Sequence, residues 1–299
     1  LSAGIAAAVV LLSILLSRML TRKISTLLTA IRKVRAGAYE HRTNISGRDE
    51  IAQIGEEFNS LTDRLQTTET LRRRFVSDAS HELKTPLAAI RLLTDSILQT
   101  DQMDMETVRD FVTDIGSEAE RLSRITEDLL RLTRLDSDLL DAPETVEVAP
   151  VLEQVMRMMS LLAQKKGTEL TYRMEENCRV SATKGEIHQV IYNLTDNAVK
   201  YSGKNGKVRV ELRHEDHDVV LTVADNGPGI PEEDLPKVFE RFYRVDKARS
   251  RAAGGTGLGL SIVQDTVKKR GGMVSAANRP NGGAVFTVRW PEAEGGDHS

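Results

Sequence analysis

The sequence predicts a multidomain chain: a transmembrane helix, a pair of short amphipathic helices, a dimeric antiparallel four-helix bundle and an α/β sandwich. Three observations carry this. Leu1 to Ser17 holds no charged residue. From Ile24 to Leu132 apolar residues recur at steps of three and four. From about Thr145 the pattern changes to short alternating runs and isolated helical segments. At 299 residues and 40% hydrophobic content the chain is large enough for more than one packed core.

The N-terminal run is built from Ala, Val, Ile and Leu and is followed at once by Arg18, Arg22 and Lys23. A helix crossing a bilayer needs about 20 apolar residues. A signal peptide carries its basic residues before the apolar run. Here they follow it, so they read as a cytoplasmic flank. Residues 1–20 are therefore expected to be a truncated transmembrane helix. It would place the chain in the inner (cytoplasmic) membrane against lipid, with the rest in the cytoplasm. The chain opens at Leu1 rather than Met, so an earlier membrane helix and an external sensing region are expected to precede it.

Ile24, Leu27, Leu28, Ile31 and Val34 form an amphipathic stripe that Gly37 breaks. Asp49-Glu50 then opens a second helix, whose Ile51, Ile54, Phe58, Leu61 and Leu65 form a seam of period 3.5. Two short helices joined by a polar connector resemble a HAMP domain, placed at residues 21–69, and the resemblance implies a parallel four-helix coiled coil made by two chains. Lys23 departs from the proline common at the start of that family's first helix, while Asp49-Glu50 agrees with it. The residues themselves also fit a plain dimeric coiled coil. Beyond Leu65 the seam slips to Leu71, a phase shift that locally rewinds a coiled coil.

The next stripe is Val76, Ala79, Leu83, Leu87, Ile90 and Ile97. After a polar turn near Thr100 it is answered by Val108, Val112, Ile115, Ala119, Leu122, Ile125, Leu129 and Leu132. Two antiparallel helices cannot bury such stripes alone, whereas two copies can, which predicts a homodimer over residues 70–141. Pro143 lies in an acidic linker. In residues 142–293, Val208–Leu212 and Val219–Val223 read as strands, and Val151–Leu162, Lys184–Lys200 and Leu260–Lys269 as helices. That is a sandwich with helices on one sheet face; residues 294–299 are a tail.

Four boxes stand in order along this framework. Phe75-Val-Ser-Asp-Ala-Ser-His81-Glu82-Leu-Lys-Thr85-Pro86-Leu87 resembles the phosphoacceptor box of sensor histidine kinases. Asn193-Leu-Thr-Asp-Asn197-Ala-Val-Lys200-Tyr201 resembles their N box, and Asp225-Asn-Gly227-Pro-Gly229 their first glycine box. Gly255-Thr256-Gly257-Leu258-Gly259-Leu resembles the second, and Phe239-Glu-Arg-Phe242-Tyr243-Arg244 the F box. One box alone is weak; the set in family order at family-like spacing is specific. The resemblance covers about Leu20 to Trp290. It implies an ATP-dependent protein-histidine kinase of two-component systems with a Bergerat-type (GHKL-like) ATP-binding domain, using ATP and Mg²⁺ and serving the receiver domain of a response regulator.

The residue chemistry agrees. His81 lies two residues from both Ala79 and Leu83, about 200° around the helix, so it points away from the core. Imidazole is a good phosphoacceptor because one nitrogen is neutral and nucleophilic near physiological pH. The resemblance gives Glu82 the role of accepting the other nitrogen's proton. It gives Thr85, one turn beyond His81, that of orienting water for dephosphorylation of the regulator. Pro86 cannot donate to the Glu82 carbonyl, which predicts a bend just after the site.

Amide oxygens are hard ligands suited to Mg²⁺. By resemblance Asn197 is the surest metal contact, Asn193 supports it, and Lys200 and Tyr201 meet phosphate. Asn193 cannot take a proton from water, which favours phosphoryl transfer over the ATP hydrolysis of related gyrase- and chaperone-type enzymes. Asp225, at a strand end, can accept the adenine amino group, and Gly227 and Gly229 allow close backbone approach. Gly257 and Gly259 open a helix whose first amides favour phosphate, in a box that includes Thr256 and Leu258. Tyr243 joins the nucleotide set, Arg244 is assigned to neutralise charge on the transferring phosphoryl group, and Arg241 reads as structural. The polar run Val245–Gly254 reads as a lid.

Two other readings remain open on sequence: a GHKL-type ATP hydrolase, and a non-catalytic membrane relay. The net charge of −3 offers no basic surface for nucleic acid. Cys178 is the only cysteine, so no intrachain disulfide is possible.

Overall fold

The computed structural model describes residues 2–100, 103–136, 142–203, 205–246 and 255–293. They divide into two compact units, Leu1–Asp78 and Ala79–Ser299. The predicted lid lies almost wholly outside the described residues, as do most of the acidic linker and part of the turn after Thr100.

In the first unit, helix α1 runs without a break over Ser2–Arg35. Among the described residues it is the one helix long and apolar enough to cross a membrane. It ends where Gly37 takes a φ of +94°, a left-handed conformation that only glycine adopts without steric cost. Helix α2 spans Glu50–Gln99. Asp49 caps it by accepting from the Ala52 amide at 3.0 Å and pairs with Lys23 Nζ at 2.6 Å. The Lys23 contact, with the cap behind it, holds the Asp49 carboxyl below the usual aspartate range. Lys23, a departure from the family pattern, thus ties the interior of α1 to the start of α2.

The connector is fixed by Asn59, whose Oδ1 accepts from the Thr43 amide at 2.8 Å and whose Nδ2 donates to the Thr43 carbonyl at 3.0 Å. Thr43 Oγ1 donates to the Gly55 carbonyl at 3.2 Å. Among the described residues of this unit the buried positions are Ala30, Val34, Thr43, Ala52, Gly55 and Thr62, none larger than valine. Ile54, Leu61 and Leu65 of the predicted seam are exposed within one chain. Helix spacing identifies large apolar residues, but close connector packing selects the small ones between them.

In the second unit, α2 continues as an unbroken helix through Pro86, which is buried. Helix α3 covers Met105–Asp136. Its buried positions Arg121, Ile125 and Leu132, with the half-buried Asp128, follow steps of four, three and four. One helix face therefore alternates two charges with two core residues.

The α/β part begins with β1 (Glu144–Glu147), α4 (Val148–Lys166), β2 (Glu169–Met174) and β3 (Arg179–Ala182). It continues with α5 (Lys184–Tyr201), β4 (Lys207–Glu215), β5 (Asp218–Asp225), α6 (Gly259–Lys269), β6 (Met273–Asn278) and β7 (Ala284–Pro291). A five-stranded sheet has the order β2-β4-β5-β7-β6, with β2 parallel to β4 and the other pairs antiparallel; β1 and β3 form a separate antiparallel pair. Alternate residues Val208, Val210 and Leu212 of β4 and Phe286, Val288 and Trp290 of β7 are buried, as strand alternation requires. They form one core with Leu152, Met156, Ile187, Ile191 and Leu194 from the helices.

Helix α5 starts with a capping box: Thr183 Oγ1 accepts from the Glu186 amide, and Glu186 Oε2 from the Thr183 amide. Arg270, after α6, pairs with Glu186 at 2.9 Å and locks the end of α6 to the start of α5. These two helices carry the N box and the second glycine box.

Candidate nucleotide and phosphoacceptor site

The C-terminal half of α5, the β5 end and the start of α6 surround a cavity of about 320 Å³. Asn193, Asn197, Lys200, Tyr201, Asp225, Gly229, Tyr243, Arg244, Thr256, Gly257 and Gly259 all line it. Gly227 and Leu258 lie beside the wall rather than in it. The boxes, dispersed over more than sixty residues of sequence, therefore meet at one place.

Asp225 is buried at the end of β5. Its Oδ1 accepts from the Gly227 amide at 2.7 Å and from the Ala284 amide at 3.3 Å, which fixes the carboxylate plane at the cavity wall. Burial pushes its carboxyl above the ordinary range against those two bonds. A Cβ at Gly227 would stand 2.4 Å from the Tyr201 carbonyl oxygen, so the turn closes only with glycine. Gly257 has a φ of +74° and packs against the Phe242 backbone. At Gly259 a Cβ would make only ordinary contact with Asn193. Packing does not demand glycine there, and its bare face opens to the cavity at the amide end of α6.

The amide of Asn193 is already engaged: Oδ1 accepts from Gln189 Nε2 at 2.9 Å, and Nδ2 donates to the Gly259 carbonyl at 3.0 Å. It braces α5 against the glycine box. Asn197 lines the cavity one turn further on. Lys200 Nζ is held by Asp196 at 2.6 Å. The Tyr243 hydroxyl donates to Asp234 at 2.5 Å, and that bond raises the phenol to about 12. Arg241 pairs with Asp265 of α6 at 3.0 Å, consistent with a structural part.

His81 is exposed on α2, and Thr85 Oγ1, also exposed, donates to the His81 carbonyl at 3.1 Å. Glu82 is bound from two sides. Arg121 Nη2 lies 3.2 Å and Arg244 Nη2 3.1 Å from its Oε2. The side chains of Arg121 and Arg244 are only 7% and 5% exposed. A second link joins Thr256 Oγ1 to Asp128 Oδ2 of α3 at 2.8 Å. Burial raises the Asp128 carboxyl more than this bond and Arg131 lower it. Lys269 Nζ donates to the Leu135 carbonyl at 2.7 Å, and Arg131 to Gln189. Arg124, Glu127, Asp128 and Arg131 of α3 complete the cavity wall.

Arg244 was assigned to phosphate on sequence, and the structure pairs it with Glu82 while leaving it in the cavity wall. Arg121 and Asp128 were missed. Their signal was present as charges at helical spacing with Ile125 and Leu132, but a stripe of large apolar residues one position away masked it.

Residues 182–294 match the family of histidine kinase-, DNA gyrase B- and HSP90-like ATPases. Residues 71–138 match the His Kinase A (phospho-acceptor) domain, and residues 15–67 the HAMP domain. In domain content and order the chain resembles the two-component sensor histidine kinases. Among curated relatives, the signal transduction histidine-protein kinase BaeS of Escherichia coli is 31% identical over 94% of this chain and 60% of its own length. AfsQ2 of Streptomyces coelicolor is 34% identical over 97% of this chain and 57% of its own. The chain thus spans somewhat over half the length of these relatives. Full-length ShkA, solved in complex with AMPPNP, is 28% identical with a TM-score of 0.54 over 75% of this chain and 46% of its own. The histidine kinase ThkA, solved with the response regulator protein TrrA, shares the fold at a TM-score of 0.60 and 24% identity over 77% of this chain and 66% of its own.

Proposed function

We propose that this chain binds ATP·Mg²⁺ in the 320 Å³ cavity, phosphorylates His81 and passes the phosphoryl group to an aspartate on a response regulator. The observation that carries the reading is the pairing of Glu82, next to an exposed histidine, with Arg244 of the cavity wall. It joins phosphoacceptor and nucleotide site within one unit. The AMPPNP complex of ShkA and the regulator complex of ThkA support the ligand and partner classes.

The residues fit ATP. A buried, oriented carboxylate faces the space for a base, and a glycine-lined helix start faces the space for phosphates. They also fit a Mg²⁺ ion held chiefly by substrate: no cluster of three His, Cys, Asp or Glu suited to a metal occurs among the described residues. A hard amide ligand is available at Asn197, with Asn193 behind it. Asn197, braced by Asn193, would hold the ion, which would supply neutralisation of the phosphate charge.

One imidazole nitrogen of His81 attacks the terminal phosphorus of ATP. An N–P bond forms, the P–O bond to the leaving ADP breaks, and the proton on the other nitrogen passes to Glu82. Arg244 and Lys200 offset developing charge, so positioning does most of the work. Thr85, aligned one turn from His81, orients water for dephosphorylation of the regulator. Two copies pair through the exposed stripes of α2 and α3 as an antiparallel four-helix bundle. Residues 21–69 form the parallel relay of a HAMP domain, and α1 anchors the assembly in lipid of the inner membrane, leaving the catalytic part in the cytoplasm. The test is incubation of the chain with γ-labelled ATP and Mg²⁺, then addition of purified receiver domains. Acid-labile label that chases onto a receiver is expected; steady ATP turnover without labelled protein would establish a hydrolase instead.

A further inference from the structure

The helical hairpin of α2 and α3 places an anionic oxygen on each of two groups in the cavity wall. Glu82 takes a guanidinium N–H of Arg244 at 3.1 Å, and Asp128 takes the hydroxyl proton of Thr256 at 2.8 Å. Given the ATP-binding reading above, we propose that Glu82 and Asp128 stand in for nucleotide phosphate. They compete with a bound triphosphate for Arg244 and Thr256 and thereby set the affinity of the cavity for it.

The argument rests on donor capacity. Carboxylate and phosphate oxygens are acceptors of one class and seek the same N–H and O–H donors. Thr256 has one proton, committed to Asp128, while its oxygen also accepts from the Leu258 amide at 3.3 Å. A phosphate can gain that proton only by displacing Asp128. The Arg244 side chain is 5% exposed, so a phosphate reaches it by exchange rather than by addition. The exchange leaves no stranded buried charge, because Glu82 keeps Arg121 at 3.2 Å after Arg244 departs. Glu127, beside Asp128 in the same wall, adds like-charge repulsion against a triphosphate.

Linkage makes the effect reciprocal: hairpin contact weakens triphosphate binding by the factor with which the triphosphate loosens the contact. Filling the cavity would also draw one of two cations from Glu82, leaving it better able to take a proton from His81.

The experiment measures binding of AMPPNP with Mg²⁺, and separately of adenosine, to the full chain in nanodiscs. The parent is compared with Glu82→Ala, Asp128→Ala and, as a control on the exposed face of α3, Glu120→Ala. AMPPNP affinity should rise about five-fold or more in the first two variants, with adenosine affinity and the control unchanged. A rise in either variant, with adenosine unmoved, supports exchange at that residue. AMPPNP affinity that is unchanged or lower in both variants overturns the proposal. So does an equal rise for adenosine, which would mean general loosening of the cavity. Failure of the parent and every variant to bind either ligand would instead overturn the nucleotide reading on which the proposal rests.

Discussion

The α/β domain and the helical hairpin treat their apolar residues in opposite ways. In the domain, Trp290, Leu152, Ile191 and Leu221 are fully buried within one chain. Among the described residues of the hairpin only Ile125 and Leu132 are, while Leu87, Leu92, Val112 and Leu130 stand more than half exposed. The domain completes its own core. The hairpin offers a face that one chain cannot cover, and it reaches the domain through part-buried polar contacts, Glu82 with Arg244 and Asp128 with Thr256. The contrast suits a rigid nucleotide domain that engages the phosphoacceptor helix through contacts that can be exchanged.

The largest effect should come from the cavity itself. Asn197→Ala is expected to reduce autophosphorylation by about 100-fold or more, in the range for loss of one preorganised polar group, and to remove the Mg²⁺ dependence of nucleotide binding. Val199→Ala, on the buried side of α5, should lower the unfolding midpoint and leave that dependence intact. Equal effects on metal dependence would erase the distinction between site and core.

The hairpin side is tested by Leu87→Glu. A charge placed on a 58% exposed residue costs the single chain little but would be buried in a paired bundle. Sedimentation should show the dimer dissociating while AMPPNP still binds. A dimer of unchanged affinity would mean that the pairing face lies elsewhere.

A smaller, selective effect is expected at Thr85. Its hydroxyl donates to the His81 carbonyl rather than to the ring that attacks phosphorus, so Thr85→Ala should keep autophosphorylation and transfer but lose dephosphorylation of the regulator. Thr85→Ser should retain part of it. The measurement is decay of purified phosphorylated regulator with each variant; decay as fast as with the parent would make Thr85 a surface residue.

The slightest effect concerns Lys23 and Asp49 in the first unit. The Asp49 carboxyl is held below its ordinary value. Its contribution is therefore present above the ordinary aspartate range and fades as pH falls through the lowered one. Lys23→Met should lower the thermal unfolding midpoint slightly near neutrality and flatten this acid-side slope, so that variant and parent converge as pH falls.

Much of this was legible in sequence because it depends on local chemistry. The strands around Val208–Leu212 and Val219–Val223, the helices of the N box and second glycine box, and the exposure of His81 follow from alternation and helical spacing. The edge strands β2 and β6 carry too weak an alternation to stand out in sequence, whereas β7, inside the sheet, alternates cleanly and is legible only once its partners are known. The partners of Glu82 were illegible for a different reason. Arg121 and Arg244 lie 39 and 162 residues away, and no local rule brings a guanidinium to a chosen carboxylate. Arg244 was identified by its box, but its engagement depends on packing of α3 against α6. The same holds for Asp128 and Thr256, separated by 128 residues.

The central claim is that His81 is the atom-level destination of the phosphoryl group. The most direct measurement is incorporation of label from γ-labelled ATP into the full chain and its His81→Ala variant, with AMPPNP affinity measured on both. The account predicts acid-labile label in the parent, none in the variant, and closely similar AMPPNP affinities. Persistent acid-labile label in the variant, with nucleotide binding intact, would contradict it.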